Sequence, residues 1–488
     1  MSDNNPADIT GLPADPDRRR LLRHVGMTAL IAGPGLSMIG ACATSGTGSG
    51  EPSKTVKAGG NAANPFNVSP TAPLDVVIFK GGLGDEYATQ VHEPAYVKKF
   101  PQAKIKHEPI VEIGKTLRPR FTGGTNIPDV VANSGTDLMD NNALVADGQL
   151  QDLTQLWDAP SIDDPGKKVR DTVLTGAVQS GYVNQKPYLL NYVSSAYGLW
   201  YNAKLFQEKG WTPPKTFEEF KTLADKIKAA GMIPYGYAGK NASYYQYWMI
   251  LISAAKIAGN QVLIDIDNLA DGAWKNPAVQ QAAAAWAEIG AKYSDKSFLG
   301  LIHTEVQTRQ NQDKVALYPS GSWLENEQKK QTPKSFEYAV APTPSVTAAD
   351  KMPYEAVRVA AGESYFVSAK GENVPGGLEY LRIMLSREGA KGFTEKSGSL
   401  TIVKGAEQGL SLSPGLQSVS NVLRAAGDNI VTDNRFELWY KELETELRKQ
   451  TNLLMFSGLS ATEFCDNMQK AADKTKADSS IDKQTRSA

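Results

Sequence analysis

Between residues 74 and 132, short β-branched runs alternate with helical patterns, and this alternation restricts the fold more than any other feature. Leu74-Asp75-Val76-Val77-Ile78-Phe79 reads as a strand ending in Gly81-Gly82-Leu83-Gly84, and residues 87–100 carry helical spacing. Ile105–Ile110 and residues 129–132 are further strands with a helix between them. Strand, helix and strand in succession make a parallel unit, so the expected class is α/β with a mainly parallel sheet. Past residue 200 the helix signals strengthen. Thr216-Phe217-Glu218-Glu219 is a capping box, followed by Phe220, Leu223, Ala224 and Ile227 on one face and Gly231 as the stop. Asn276-Pro277 opens another helix, with Val279, Ala283, Trp286 and Gly290 at helical spacing. Residues 377–393 and 435–447 are expected to be helical, and Ser460-Ala461-Thr462-Glu463 caps a last helix before a polar tail expected to fray from about Lys474.

Residues 18–42 stand outside this pattern. Arg18-Arg19-Arg20-Leu21-Leu22-Arg23 leads through an uncharged stretch into Ile39-Gly40-Ala41-Cys42, the three parts of a bacterial export signal. The arginine pair resembles a twin-arginine signal, and the ending resembles a lipobox, which implies cleavage of residues 1–41 and lipidation of Cys42. As a membrane span, residues 25–41 are at the short limit and rich in glycine. Residues 42–72, headed by Ser45-Gly46-Thr47-Gly48-Ser49-Gly50, have too little apolar content to fold and are expected to form a flexible tether. About 447 residues follow from Cys42, too many for a single core, so two lobes are expected. With Cys42 lipidated, Cys465 has no disulfide partner.

Composition narrows the chemistry. Loss of residues 1–41 removes four acids and four arginines, so the formal charge stays at −1, and no basic stripe marks a nucleic-acid partner. Gly114-Lys115-Thr116 imitates the end of a phosphate loop, but Pro109 occupies the place of its first glycine. Gly362-Glu363-Ser364-Tyr365-Phe366 begins like a nucleophile elbow and ends in Phe366 instead of glycine. His24, His92, His107 and His303 lack metal-ligand spacing, so neither metal nor cofactor is expected. Carboxylate pairs of the kind a glycoside hydrolase uses depend on the fold and stay open. What remains is a set of aromatic and amide-rich segments: Asn133-Ser134-Gly135-Thr136-Asp137, Tyr244-Tyr245-Gln246-Tyr247-Trp248 and Ser320-Gly321-Ser322-Trp323. A pyranose ring has an apolar face that stacks on Trp or Tyr and a rim of hydroxyls that takes paired donors and acceptors, so these segments fit sugar binding.

From about residue 73 to 473 the chain resembles the family 1 extracellular solute-binding proteins, built like maltose-binding protein. The marks are Pro128-Asp129-Val130-Val131, Gly148-Gln149-Leu150-Gln151-Asp152-Leu153-Thr154, Tyr197-Gly198-Leu199-Trp200-Tyr201-Asn202 and Gly321-Ser322-Trp323. Val77-Ile78-Phe79-Lys80-Gly81-Gly82, Ala159-Pro160-Ser161-Ile162-Asp163-Asp164 and Ser322-Trp323-Leu324-Glu325-Asn326-Glu327 are similar to the actinobacterial branch that binds N-acetylglucosamine and diacetylchitobiose. The resemblance implies a two-lobed, type II periplasmic-binding-protein-like fold with discontinuous lobes, a hinge and an interlobe ligand cleft. The lobes would comprise residues 73–197 plus 360–410 and residues 198–359 plus 411–475, leaving 476–488 as a polar tail. It further implies a sugar receptor without enzymatic activity, lipid-anchored outside the cell membrane as a monomer and read by the permease of an ABC importer. Carried over by position, Gly81, Asp85, Asn133, Asp137, Tyr192 and Tyr197 would give polar contacts, Tyr245, Trp248, Trp323 and Trp439 would stack, and Arg358 and Glu363 would reach the ligand. A lipid-anchored glycoside hydrolase and a sugar-sensing or adhesion lipoprotein are the alternatives for the same cleft.

Overall fold

A single thirteen-residue strand, Leu190–Asn202, runs through the middle of the molecule and belongs to both of its lobes. The structure is a computed structural model, and it describes residues 60–81, 83–135 and 137–486. The export signal, Cys42 and the first part of the tether therefore lie outside the described residues.

In chain order the strands are β1 (Leu74–Phe79), β2 (Ile105–Ile110), β3 (Val130–Ala132), β4 (Tyr182–Val183), β5 (Lys186–Pro187) and β6 (Leu190–Asn202). They continue with β7 (Ile233–Tyr235), β8 (Val315–Gly321), β9 (Tyr338–Ala341), β10 (Val357–Val367) and β11 (Ile430–Val431). Nine of them form one sheet in the order β2-β1-β3-β10-β6-β8-β7, with β11 on β10 and β9 on β6. The first half of β6 pairs antiparallel with β10, from Leu190 opposite Tyr365 to Tyr197 opposite Arg358, and its second half pairs with β8 and β9. β1 lies parallel between β2 and β3.

Each half of the sheet is buried by its own helices. On the N-terminal lobe one face carries Val76, Ile78 and Val130 against Tyr96, Leu378, Leu381 and Phe393, while the other carries Val77 and Val131 against Ile113, Leu117 and Phe121. That strict alternation along β1 is why the run Val76-Val77-Ile78 has no polar face. The C-terminal lobe has a separate core containing Trp200, Phe220, Tyr235, Ile250, Trp286 and Leu447. Full burial of such side chains contributes roughly 1.5–3 kcal/mol each. The helix Phe217–Ala229 begins at the expected cap, with Thr216 Oγ1 accepting from the Glu219 N–H at 3.2 Å, and Gly231 follows it with φ +81.

Four expectations need correction. The tether does not stay free to residue 72, because Phe66 and Val68 are buried in the N-terminal lobe and Arg382 donates to the Ala62 carbonyl at 2.9 Å. Residues 377–393 are not one helix but parts of Val374–Met384 and Arg387–Ser397, separated where Ser386 Oγ accepts from the Gly389 N–H and starts a new helix. Residues 435–447 likewise divide into Phe436–Trp439 and the beginning of Lys441–Phe456, with Tyr440 (φ −131) between them. Finally, the polar tail is docked: after the helix Ala461–Ala477, Gln484 and Arg486 hydrogen-bond to Tyr440, Asp267 and Thr432.

Candidate functional site

β8 ends at Gly321, and a Cβ there would lie 2.0 Å from the Trp323 ring. Only glycine lets the indole fold back over the strand end. The Trp323 Nε1–H donates to the Tyr245 hydroxyl at 3.0 Å, with the two ring centroids 5.9 Å apart. Tyr245 belongs to the first turn of the helix Tyr244–Ala258, in which Tyr244 and Trp248 lie one turn apart on one face at 4.9 Å. Tyr197 closes the group from β6: its hydroxyl donates to the Tyr245 carbonyl at 3.0 Å and its ring meets Trp248 edge-on at 5.1 Å. Tyr197 and Tyr245 are buried, while Tyr244, Trp248 and Trp323 keep part of their surface exposed. The result is a platform of three accessible rings on two buried ones.

Polar groups hold this platform from behind. The Arg358 guanidinium lies 3.8 Å from the centre of Trp248 and pairs with Asp433, and among the described residues its Nε has no hydrogen-bond partner. Glu437 accepts from Trp248 Nε1 at 3.0 Å and from the Tyr247 hydroxyl at 2.5 Å, with Arg358 at 3.7 Å from its other oxygen. Burial, with the Asp433 charge added, pushes the Glu437 carboxyl up from 4.5 to about 7 against the pull of Arg358. Sequence reasoning placed Tyr244 in a candidate segment without singling it out as a contact, and it missed Asp433 and Glu437. Tyr244 was legible as the residue four before Trp248, whereas the two acids become partners only through the fold.

On the N-terminal lobe the expected residues are placed differently. Asp85 is buried beside Lys80 (3.1 Å) and His107 (3.4 Å), and His107 also bonds Glu93 at 2.5 Å. Burial opposes ionisation of Asp85, but Lys80 and His107 together hold its carboxyl below the usual range. The Glu93 hydrogen bond, with help from Asp85, raises the His107 pKa against burial. Gly81 packs against the Phe79 ring, where a Cβ would clash at 2.1 Å. Asn133 is buried and spends its side chain on Met139 and Asn141, shaping the loop after β3. Asp137 accepts from the Lys115 N–H at 2.8 Å at the start of the helix Ile113–Gly123. Glu363 stands at φ +52 in β10, half-buried next to Ser134, and burial raises its pKa against the Ser134 hydrogen bond. It lies five residues from Arg358 on the same strand, about 17 Å at the usual strand rise.

Two expected contacts are not with the others. Tyr192 is fully buried in the N-terminal core, its hydroxyl donating to the Met384 carbonyl at 2.5 Å and its ring edge-on to Phe393, so it does not face a cleft. Five residues separate it from Tyr197, and strand alternation sends the two to opposite faces. Trp439 is half-buried and lines a cavity of about 360 Å³ together with Tyr182, Val359, Ala361, Asp433 and Arg435. Val359 and Ala361 alternate with Arg358 along β10, and none of the platform rings lines this cavity.

Among the described residues no group of His, Cys, Asp and Glu is arranged to hold a metal ion, and no helix is long and apolar enough to cross a membrane. A family model described as bacterial extracellular solute-binding protein matches residues 84–391. The chain belongs to that family. This solute-binding protein is 35% identical over 96% of its length to the diacetylchitobiose binding protein NgcE of Streptomyces coelicolor, of which 97% is covered. It is 24% identical, over 64% of this chain and 71% of the relative, to a multiple sugar-binding protein of Streptococcus mutans. Its two-lobed type II fold is shared with the apo form of RafE from Streptococcus pneumoniae, at a TM-score of 0.65 and 20% identity, covering 83% of this chain and 98% of that one. A chitin oligosaccharide binding protein superposes with a TM-score of 0.59 at 18% identity, over 84% of this chain and all of that one.

Proposed function

We propose that this solute-binding protein is the receptor lipoprotein of a carbohydrate ABC importer and that its ligand is diacetylchitobiose or N-acetylglucosamine. The observation that carries the reading is the platform of Tyr244, Trp248 and Trp323, whose indoles are held by Tyr245 and Glu437 and keep part of their surface open. Rings fixed in this way lose little freedom on binding, and the apolar face of a pyranose replaces water on them. The relationship to NgcE over nearly the whole chain supports an N-acetylglucosamine disaccharide as ligand.

In this reading the sugar stacks on the C-terminal platform while Glu363, Asp137 and the loops after β1 and β3 meet its hydroxyls. Asp85 and Asn133 shape those loops. β6 and β10 cross between the lobes without interruption, and a third passage runs from Ala406 in the N-terminal core to Leu416 in the C-terminal core. Bending of these strands closes the cleft when ligand bridges both lobes, and the closed form is the state that a permease reads. Moving the hinge from 1:99 to 99:1 takes about 5.5 kcal/mol of differential affinity, within reach of several stacking and hydrogen-bond contacts. Lipidation of Cys42 would keep this monomeric receptor beside its permease, where local concentration favours capture.

Calorimetric titration with N-acetylglucosamine, diacetylchitobiose, cellobiose and maltose tests the reading, with chromatography of each mixture afterwards. Saturable binding of the N-acetylated sugars without new products is expected. Hydrolysis of diacetylchitobiose, or no heat with any of the four, contradicts it.

A further inference from the structure

The tail that was expected to fray contains Arg486, which sits at a junction. Its guanidinium donates to Asp267 Oδ2 (2.5 Å), the Asp433 carbonyl (2.6 Å) and Thr432 Oγ1 (2.6 Å). Its backbone N–H donates to Asn268 Oδ1 at 2.7 Å, and its carbonyl accepts from Asn268 Nδ2 at 2.8 Å. Two residues earlier, the Gln484 N–H donates to the Tyr440 hydroxyl at 3.0 Å, and that hydroxyl donates back to the Gln484 carbonyl at 3.3 Å. The tail is therefore a strap fastened on both sides of residues 432–440.

Those residues carry the supports of the platform. Asp267, fully buried, takes the N–H groups of Arg435 and Phe436 on its Oδ1 (2.8 and 2.9 Å), which fixes the start of the short helix Phe436–Trp439. Asp433 then holds Arg358 against Trp248, and Glu437 holds the Trp248 indole N–H. Without Arg486, the buried Asp267 carboxylate loses the cation paired with it, and a buried charge left without its partner is strongly unfavourable. The segment that depends on Asp267 is the segment that aims Trp248.

We propose that Arg486 is a positioning residue for the sugar site: the C-terminal strap locks residues 432–437 so that Asp433 and Glu437 clamp Arg358 and Trp248 in their stacking geometry. Acting through Trp248, it touches no ligand itself. The inference rests on the platform as the sugar site, and it extends the site to residues that no contact with ligand would identify.

The test compares the full chain with one ending at Lys483 and with Arg486→Ala, by amide hydrogen exchange and by calorimetric titration with diacetylchitobiose. Exchange at residues 432–440 is expected to accelerate about tenfold or more while the helix Pro277–Tyr293 keeps its protection, with affinity falling roughly 3- to 30-fold. Arg486→Lys should recover part of the affinity. In a Trp248→Ala background, loss of the strap should cost almost no further affinity, because the two changes share one route. Unchanged exchange at 432–440 overturns the proposal, and so does an affinity loss of equal size with or without Trp248. If Arg486→Ala loses protection throughout, Tyr440→Phe, which frees Gln484 without stranding a charge, gives the same two readouts with the same criteria. Should the unaltered protein bind no sugar, the sugar reading fails, while exchange at 432–440 still decides whether the strap orders this segment.

Discussion

On the C-terminal lobe the proposed site consists of rings braced against one another and clamped by buried charge, whereas on the N-terminal lobe it consists of loops whose polar side chains are largely spent inside the lobe. Trp323 and Trp248 use their N–H groups on Tyr245 and Glu437 and leave ring surface open. Asp85 and Asn133 use nearly every polar atom on Lys80, His107, Met139 and Asn141. Stacking needs a fixed plane and no spare hydrogen-bonding capacity, so one lobe can be finished in advance. Hydroxyl recognition needs unspent donors and acceptors, and on the other lobe the proposed site would draw these from groups such as Glu363 and from backbone around the shaped loops.

The contrast is broken most severely at residues that belong to a core and not to either surface. Tyr192→Ala should cost about 3–5 kcal/mol of folding stability, as for removal of any large buried ring, with affinity unchanged in the fraction that folds. Thermal unfolding with parallel titration measures both. Asn133→Ala leaves the Met139 N–H and carbonyl without their buried partner and should cost about 1–3 kcal/mol of stability, together with part of the sugar affinity through the loop. If affinity falls without loss of stability, Asn133 touches the ligand and the N-terminal loops keep more of their polar groups free for it. A further expected effect is electrostatic. The Glu437 pKa is raised on folding from 4.5 to about 7, so between those values the folded state holds more proton than the unfolded one and stability declines as pH rises. Glu437→Gln should flatten the melting midpoint between about pH 5 and 7, and an unaltered pH profile would show that the carboxyl ionises as freely as an exposed one.

Local pattern carried much of the fold. β1, β2, the Thr216 and Ser460 caps and the Asn276-Pro277 helix start all stand where their residues place them, because each depends on neighbours a few positions away. The site was legible in kind but not in detail. Tyr192 and Tyr197 are the same residue type on one strand, and only strand parity and the helices packed on each face separate core from platform. The docked tail was invisible for a related reason: apart from Ile481, residues 478–486 are polar, and their order comes largely from Asp267 and Tyr440, far away in sequence. Trp323 was singled out for the glycine two residues before it, and that glycine is where its indole folds back over the strand end.

The most direct measurement is calorimetric titration of diacetylchitobiose into the unaltered protein and into Trp323→Ala, with the melting midpoint of each. The stacking platform predicts that the substitution weakens binding by about 1–3 kcal/mol, roughly 5- to 150-fold in Kd, while the melting midpoint hardly moves. Equal affinity in the two proteins, or a loss of folding stability as large as the loss of binding, would contradict it and make Trp323 a residue of the core.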